Sequence, residues 1–205
     1  MAKLTFFLAT TMLALPMTQA LAQTPEPNVK ALVSPAVMDE MRKLIDSDIV
    51  QISIKAQNQQ HQKLPQAEID ALDTQWRAER EKDDKPLIAA TLSNPLSVYL
   101  ARIQGRSLGL YAEIFVMDQN GLNVGQSSVT SDFWQGDEDK FQKTFNVSPD
   151  AVFIDAAEWD DEAKIWRGQV SFTVTDTEKK PIGAVTMELN LTDRKSTRLN
   201  SSHRT

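Results

Sequence analysis

The chain has no cysteine. Disulfides, thiol nucleophiles and thiolate metal sites are therefore excluded, and whatever folds here is held by packing alone. Histidine is almost as scarce, with two in 205 residues. His203 lies in an aberrant C-terminal stretch, which leaves His61 as the only imidazole for a Ser-His-Asp constellation or a transition-metal site. No Gly-x-Ser-x-Gly, phosphate-binding loop or dinucleotide fingerprint occurs, and no carboxylate pair stands out as a glycosidase pair. The acidic runs Asp137-Glu-Asp139 and Asp160-Asp-Glu162 lack EF-hand spacing and read as solvated turns. Excess positive charge is missing too. The formal net charge is −6, and it becomes about −10 once Lys3 and the one acidic and four basic residues after Thr192 are set aside. Such a chain repels phosphate, so nucleic acid and anionic membrane surfaces are poor partners. No catalytic residue, metal ligand or cofactor is expected.

Long apolar runs are confined to one place. Met1-Ala2-Lys3 is a short positive region, Leu4 to Leu15 an apolar run, and Pro16 breaks it before the small-x-small pattern Ala20-Leu21-Ala22. The run falls short of the ~20 residues of a spanning helix, so residues 1–22 read as a signal peptide cleaved between Ala22 and Gln23. At the other end, Asp193-Arg-Lys-Ser-Thr-Arg-Leu-Asn-Ser-Ser-His203 is polar, basic and without periodicity. It resembles the translation of a common sequencing adapter, so residues 193–205 are expected to be non-native, with native sequence stopping near Thr192 and its continuation unseen. What remains suits one domain.

Along that domain the period changes once. Residues 23–33, with Pro25 and Pro27, read as a flexible lead-in. Ser34 caps a long helix with Pro35 at its first position, and Val37, Met41, Leu44, Ile45, Ile49 and Ile52 form its apolar stripe to about Gln62. The stripe either covers the domain's own sheet or makes a homodimer contact. A second helix begins at Pro65, Glu79 to Lys85 is a solvated charge run, and Asn94-Pro95 starts a helix that ends near Gln104. From Leu110 the period is two. Strands are expected at Tyr111 to Met117, Leu122 to Ser127, Ala151 to Trp159, Lys164 to Thr175 and Ile182 to Leu191, with a short helix from Asp137 to Thr144. Asp118-Gln-Asn-Gly121 turns the first hairpin.

An apolar strand, an Asp-x-Asn-Gly turn and a polar, Trp-bearing loop stand in Ile114-Phe-Val-Met-Asp-Gln-Asn-Gly121 and Val129-Thr-Ser-Asp-Phe-Trp-Gln-Gly-Asp-Glu138. With the final Pro181-Ile-Gly-Ala-Val-Thr-Met187, these stretches resemble the Cache (PDC) sensor domains of bacteria. The resemblance covers about residues 34–192. It implies an α/β (α+β) fold with a long N-terminal helix, helical segments and a PAS-like five-stranded antiparallel sheet. It also implies a periplasmic module that binds a small organic ligand, such as an amino acid or carboxylate, and relays occupancy to a membrane-bound signalling or transport protein. The alternative is a ligand-free interaction module of the same fold. Family pockets lie on one sheet face under the segment joining the second and third strands, here residues 128–150.

Candidate ligand contacts follow. Trp134 and Gln135 supply an apolar wall and a directional hydrogen bond, with core packing as the other reading of Trp134. Arg167 and Gln169 share one face of the fourth strand and suit a carboxylate, or else make a polar exposed face. Arg102 and Arg106 are second candidates. Tyr99 and Tyr111 offer hydroxyls, and alternation places Tyr111, Glu113, Phe115 and Met117 on one face. Asp155 and Trp159 would close the far side. Asp132, Asp137 and Glu138 either accept from an ammonium or cap the next helix.

Overall fold

A computed structural model describes residues 26–62 and 64–192. The expected signal peptide and the tail expected to be non-native lie outside the described residues. The lead-in is not wholly irregular: Val29–Leu32 forms a short helix, α1, capped by Asn28, whose Oδ1 accepts the Ala31 N–H at 3.2 Å.

The expected single long helix is two. Pro35–Ile45 (α2) starts as foreseen, with Ser34 Oγ accepting the Val37 N–H and Pro35 in the first turn. The chain then leaves helical geometry at Asp46 (ψ 73°) and Ser47 (φ −138°, ψ 150°) before Asp48–Gln60 (α3). Asp and Ser compete with the backbone for hydrogen bonds and favour helix ends. The apolar stripe runs through the break, because Met41, Ile45, Val50 and Ile54 are all buried. Its phase does not, and Ile52, assigned to the stripe, is 64% exposed. The redirected α3 is tied to the sheet by amides. Gln51 Nε2 donates to the Thr175 carbonyl at 2.6 Å, and Asn58 Nδ2 to that of Ile182 at 2.7 Å.

Three more helices follow, Gln66–Arg80 (α4), Pro86–Ser93 (α5) and Pro95–Arg106 (α6). Asn94 caps α6 through Ser97 N at 2.8 Å. Gly105 lies inside α6 rather than after it, and the chain turns into the sheet through Leu108 and Gly109, both at positive φ. Glu79, expected in a solvated run, is buried, and its Oε2 accepts the Ile88 N–H at 3.0 Å. It thereby satisfies a free donor in the first turn of α5, which has no capping side chain of its own.

The strands are Tyr111–Met117 (β1), Asn123–Gln126 (β2), Val152–Asp160 (β3), Ile165–Thr175 (β4) and Pro181–Asn190 (β5). They form one antiparallel sheet of order β2-β1-β5-β4-β3. This is the α+β, PAS-like layout. One face carries Ile114, Val116, Val185, Met187, Val170 and Phe172, packed under α1, α2, α3 and α6. Gly183 of β5 has no room for a side chain, since a Cβ there would run into the Met117 carbonyl oxygen of β1. On the opposite face Phe115, Met117 and Ala184 are covered by Phe141 and Phe145, from the short helix Asp139–Gln142 (α7) and the residues after it. A separate cluster joins α4 and α5 to Leu122 and Phe133, with Trp76 stacked on Phe133 at 5.2 Å. Among the described residues no helix is long and apolar enough to cross a membrane.

Candidate functional site

The sheet face away from α1, α2, α3 and α6 is apolar beneath α7 and charged beside it. Next to Phe115, a row of ionisable groups crosses the strands: Glu113 on β1, Glu188 on β5, Arg167 on β4 and Asp160 at the end of β3. Register places them. Glu113 pairs with Glu188, Glu188 with Gln169, and Arg167 with Glu158. Guanidinium has a fork of donors, and here it is spread over two carboxylates. Nη1 meets Glu188 Oε2 at 2.7 Å, while Nε and Nη2 meet Asp160 Oδ2 at 2.7 and 2.6 Å. Gln169 Nε2 donates to Glu188 Oε1 at 2.8 Å, so both oxygens of this buried carboxylate are satisfied. Asp160 is itself oriented by the β3–β4 turn, where its Oδ1 accepts the Ala163 and Glu162 N–H groups. Those bonds, the Ala163 one foremost, and the Arg167 charge outweigh burial and hold its carboxyl below the ordinary value.

Glu113 is less well served. Ser128 Oγ donates to its Oε1 at 2.8 Å. Burial, and then the Glu188 charge, push its carboxyl up to about 7.

Between β3 and this row lies a cleft lined by Asp155, Ala156, Glu158, Arg167, Gln169 and Glu188. Its accessible volume is about 40 Å³, room for about three waters. A bulge in β3 shapes its wall, since the pairing jumps from Ile154–Val170 to Ala157–Gly168. The bulge sets two residues, Asp155 and Ala156, opposite Gln169 alone and places them at the cleft. Asp155 and Glu158 are exposed.

Arg167, Gln169 and Asp155 are thus brought together. The remaining candidates stand elsewhere. Trp134 packs into the α4–α5 cluster and donates from Nε1 to the Asn120 carbonyl at 2.8 Å. Gln135 is buried beneath its own loop, donating to the Asp132 carbonyl at 3.0 Å and accepting from Lys140 Nζ at 3.2 Å. Tyr111 does not share a face with Glu113, because a register shift between them turns Tyr111 into the helix-side core. There burial, and then the Glu40 charge, push its hydroxyl up to about 12. Tyr99 donates to the Leu44 carbonyl at 2.7 Å. Arg102 and Arg106 are exposed on α6. Trp159 stands edge-on to Trp166 at 5.6 Å and donates to Asp161.

The acidic residues of the loop also differ from expectation. Asp132 pairs with Arg77 at 2.9 Å, and Glu138 with Lys140 at 2.8 Å. Helix α7 starts at Asp139 with no side-chain cap, so Asp137 caps nothing. Sequence reasoning passed over Glu113, Glu188, Glu158 and Asp160 as site residues. For the first two a signal existed: each is the only charge in its apolar strand.

No family model matches the chain, and no curated protein sequence does. Solved structures do. The ligand-binding domain of the Pseudomonas aeruginosa PAO1 amino acid chemoreceptor PctC, in complex with GABA, matches at 11% identity, covering 70% of this chain and 59% of that one, with a TM-score of 0.35. The sensory domain of the Campylobacter jejuni chemoreceptor Tlp3 matches at 13% identity, 79% and 64% coverage and a TM-score of 0.37. The sensor domain of the V. cholerae histidine kinase DctB matches at 13% identity, 82% and 61% coverage and a TM-score of 0.37. The chain spans less than two thirds of each of these structures. Likeness of this degree assigns neither ligand nor partner. The matched chains are sensory or ligand-binding domains of two chemoreceptors and a histidine kinase.

Proposed function

We propose that residues 34–192 form a sensor-type domain that binds a small organic ligand, without chemical change, at the cleft between β3 and β4. It acts in the periplasm after signal-peptide cleavage near Ala22. It relays occupancy to a membrane-bound signalling or transport protein, with α2 and α3 offering a homodimer contact. The observation that carries this reading is the Arg167 clamp. A guanidinium, two carboxylates and an amide are held in fixed geometry on a sheet face that the helical layer does not cover. Fixed polar groups at the edge of an apolar surface orient a ligand, and desolvating them costs stability that a purely structural face would not spend. Of the five guanidinium N–H groups, three are used by Asp160 and Glu188. Arg167 lines the cleft together with the exposed acceptors Asp155 and Glu158. That pattern suits a molecule bearing both an ammonium and a carboxylate or hydroxyl, as an amino acid does. The cleft holds only a head group as it stands, so binding requires residues 128–150 or the β3 bulge to move, a shift between two packings.

A thermal-shift and calorimetric screen against amino acids, carboxylates and amines tests the proposal. A saturable shift that Arg167→Lys and Gln169→Ala weaken at least tenfold is expected. The second reading, a ligand-free interaction module, is favoured by one observation: the Arg167 charge is already neutralised within the chain. A folded protein unmoved by every compound would select it.

A further inference from the structure

Glu113 and Glu188 are direct partners across β1 and β5, on the same sheet face. Their environments are unequal. Glu188 has a guanidinium on one oxygen and an amide on the other. Glu113 has the single hydroxyl of Ser128. Two adjacent carboxylates on one sheet face do not both ionise readily, and the proton stays with the one that has fewer donors. That is Glu113.

The groups facing the pair are few. From β4 comes Arg167, whose charge is shared with Asp160 of β3. From α7 comes Lys140, whose ammonium lies 5.5 Å from the Phe115 ring centre and bonds Gln135 Oε1 and Glu138 Oε2. Its charge reaches Glu113. Ser128 opens the segment that joins β2 to β3, and Lys140 lies in the middle of it. The Ser128 bond and the Lys140 charge are therefore both sensitive to whether Glu113 is charged.

We propose that the Glu113–Glu188 pair is a proton-sensitive switch that sets how residues 128–150 dock on the open sheet face. With the proton in place, Glu113 is a neutral neighbour of Glu188, and Lys140 is held by Gln135 and Glu138. When the proton leaves, two like charges adjoin. Glu113 becomes the stronger acceptor for Ser128 and a competing anion for Lys140, which draws α7 toward β1. No ligand is needed for this step, and it stands whether or not the cleft between β3 and β4 is ever occupied.

The test is an NMR titration of the whole protein from pH 4 to 9, following glutamate side-chain carboxyl carbons and backbone amides. The switch requires one carboxyl to titrate near 7, to vanish in Glu113→Gln, and to move down by about one unit in Glu188→Gln as its like-charged neighbour is removed. It further requires the Ser128 and Lys140 amides to shift with the same midpoint, and not to do so in Glu113→Gln. If Glu113→Gln fails to fold, the Glu188→Gln titration alone decides, since the carboxyl and amide midpoints must then fall together. A Glu113 midpoint of 4 to 5 overturns the proposal. So does a midpoint near 7 that the Ser128 and Lys140 amides do not follow.

Discussion

Arg167 and Glu188 are bonded on a diagonal. In register Arg167 faces Asn190 and Glu188 faces Gln169, yet the 2.7 Å contact runs between Arg167 Nη1 and Glu188 Oε2. Diagonal neighbours on one sheet face are within reach of a long side chain. The geometry leaves Gln169 to hold the second Glu188 oxygen and lets the rest of the guanidinium span to Asp160 on the next strand. Three strands are thereby tied through one cation.

Removing that cation exposes its role in stability. Glu188 is 7% exposed, so Arg167→Ala leaves a buried carboxylate with one amide partner. The expected loss is about 3 kcal/mol in urea unfolding at pH 7.5. Arg167→Lys keeps the charge but cannot reach both acids, and should lose about half of that. Glu158→Gln, at an exposed carboxylate of the same cleft, should stay within about 0.5 kcal/mol of wild type.

Stability should fall as pH rises toward neutrality. The Glu113 carboxyl is raised from 4.5 to about 7 in the folded protein, so between those values the native state binds more protons than the unfolded chain. Its protonated form is favoured by folding. That contribution is present in full below the unfolded value and is lost as pH passes through 7, with a loss on the order of 3 kcal/mol at most. Unfolding free energies at pH 5 and pH 8 should differ by less in Glu113→Gln than in wild type. Asp176, held low chiefly by the Lys180 backbone N–H, acts in the opposite sense and only on the acid side.

Asp73 should prove a strong structural residue. Its Oδ1 accepts the N–H groups of Phe133 and Trp134 at 2.9 and 3.1 Å, and its Oδ2 pairs with Arg77. Asp73→Ala leaves the Phe133 donor buried and frees the loop from α4, for an expected loss of about 2–4 kcal/mol by urea unfolding.

Trp134 is expected to behave as packing. Trp134→Ala should lower stability by about 3 kcal/mol. Trp134→Phe should cost about 1 kcal/mol, the bond to the Asn120 carbonyl. Differential scanning calorimetry of the two variants separates the packing contribution from the hydrogen bond.

The sheet was legible because a period of two is a local property: β1 was read to the residue, and β4 and β5 to within one. Register is not local. The shift that turns Tyr111 away from Glu113, and the bulge that puts Asp155 at the cleft, depend on the partner strand and leave no trace in the alternation. The break at Asp46–Ser47 was hidden because the apolar residues on either side fit one continuous helical stripe. Arg167 and Gln169 could be proposed together because two polar side chains at alternate positions of a long strand share a face. The loop candidates Trp134 and Gln135 were chosen by sequence position, and where a loop side chain points is decided by what the loop packs on, here α4, α5 and Lys140.

The most direct test of the account is calorimetric titration of the protein with amino acids, carboxylates and amines at pH 7.5, wild type beside Arg167→Lys. Saturable binding of one class in the wild type, weakened at least tenfold in the variant while it remains folded, is the predicted result. Binding that is indifferent to Arg167, or none across the set, would contradict a ligand site at the cleft between β3 and β4.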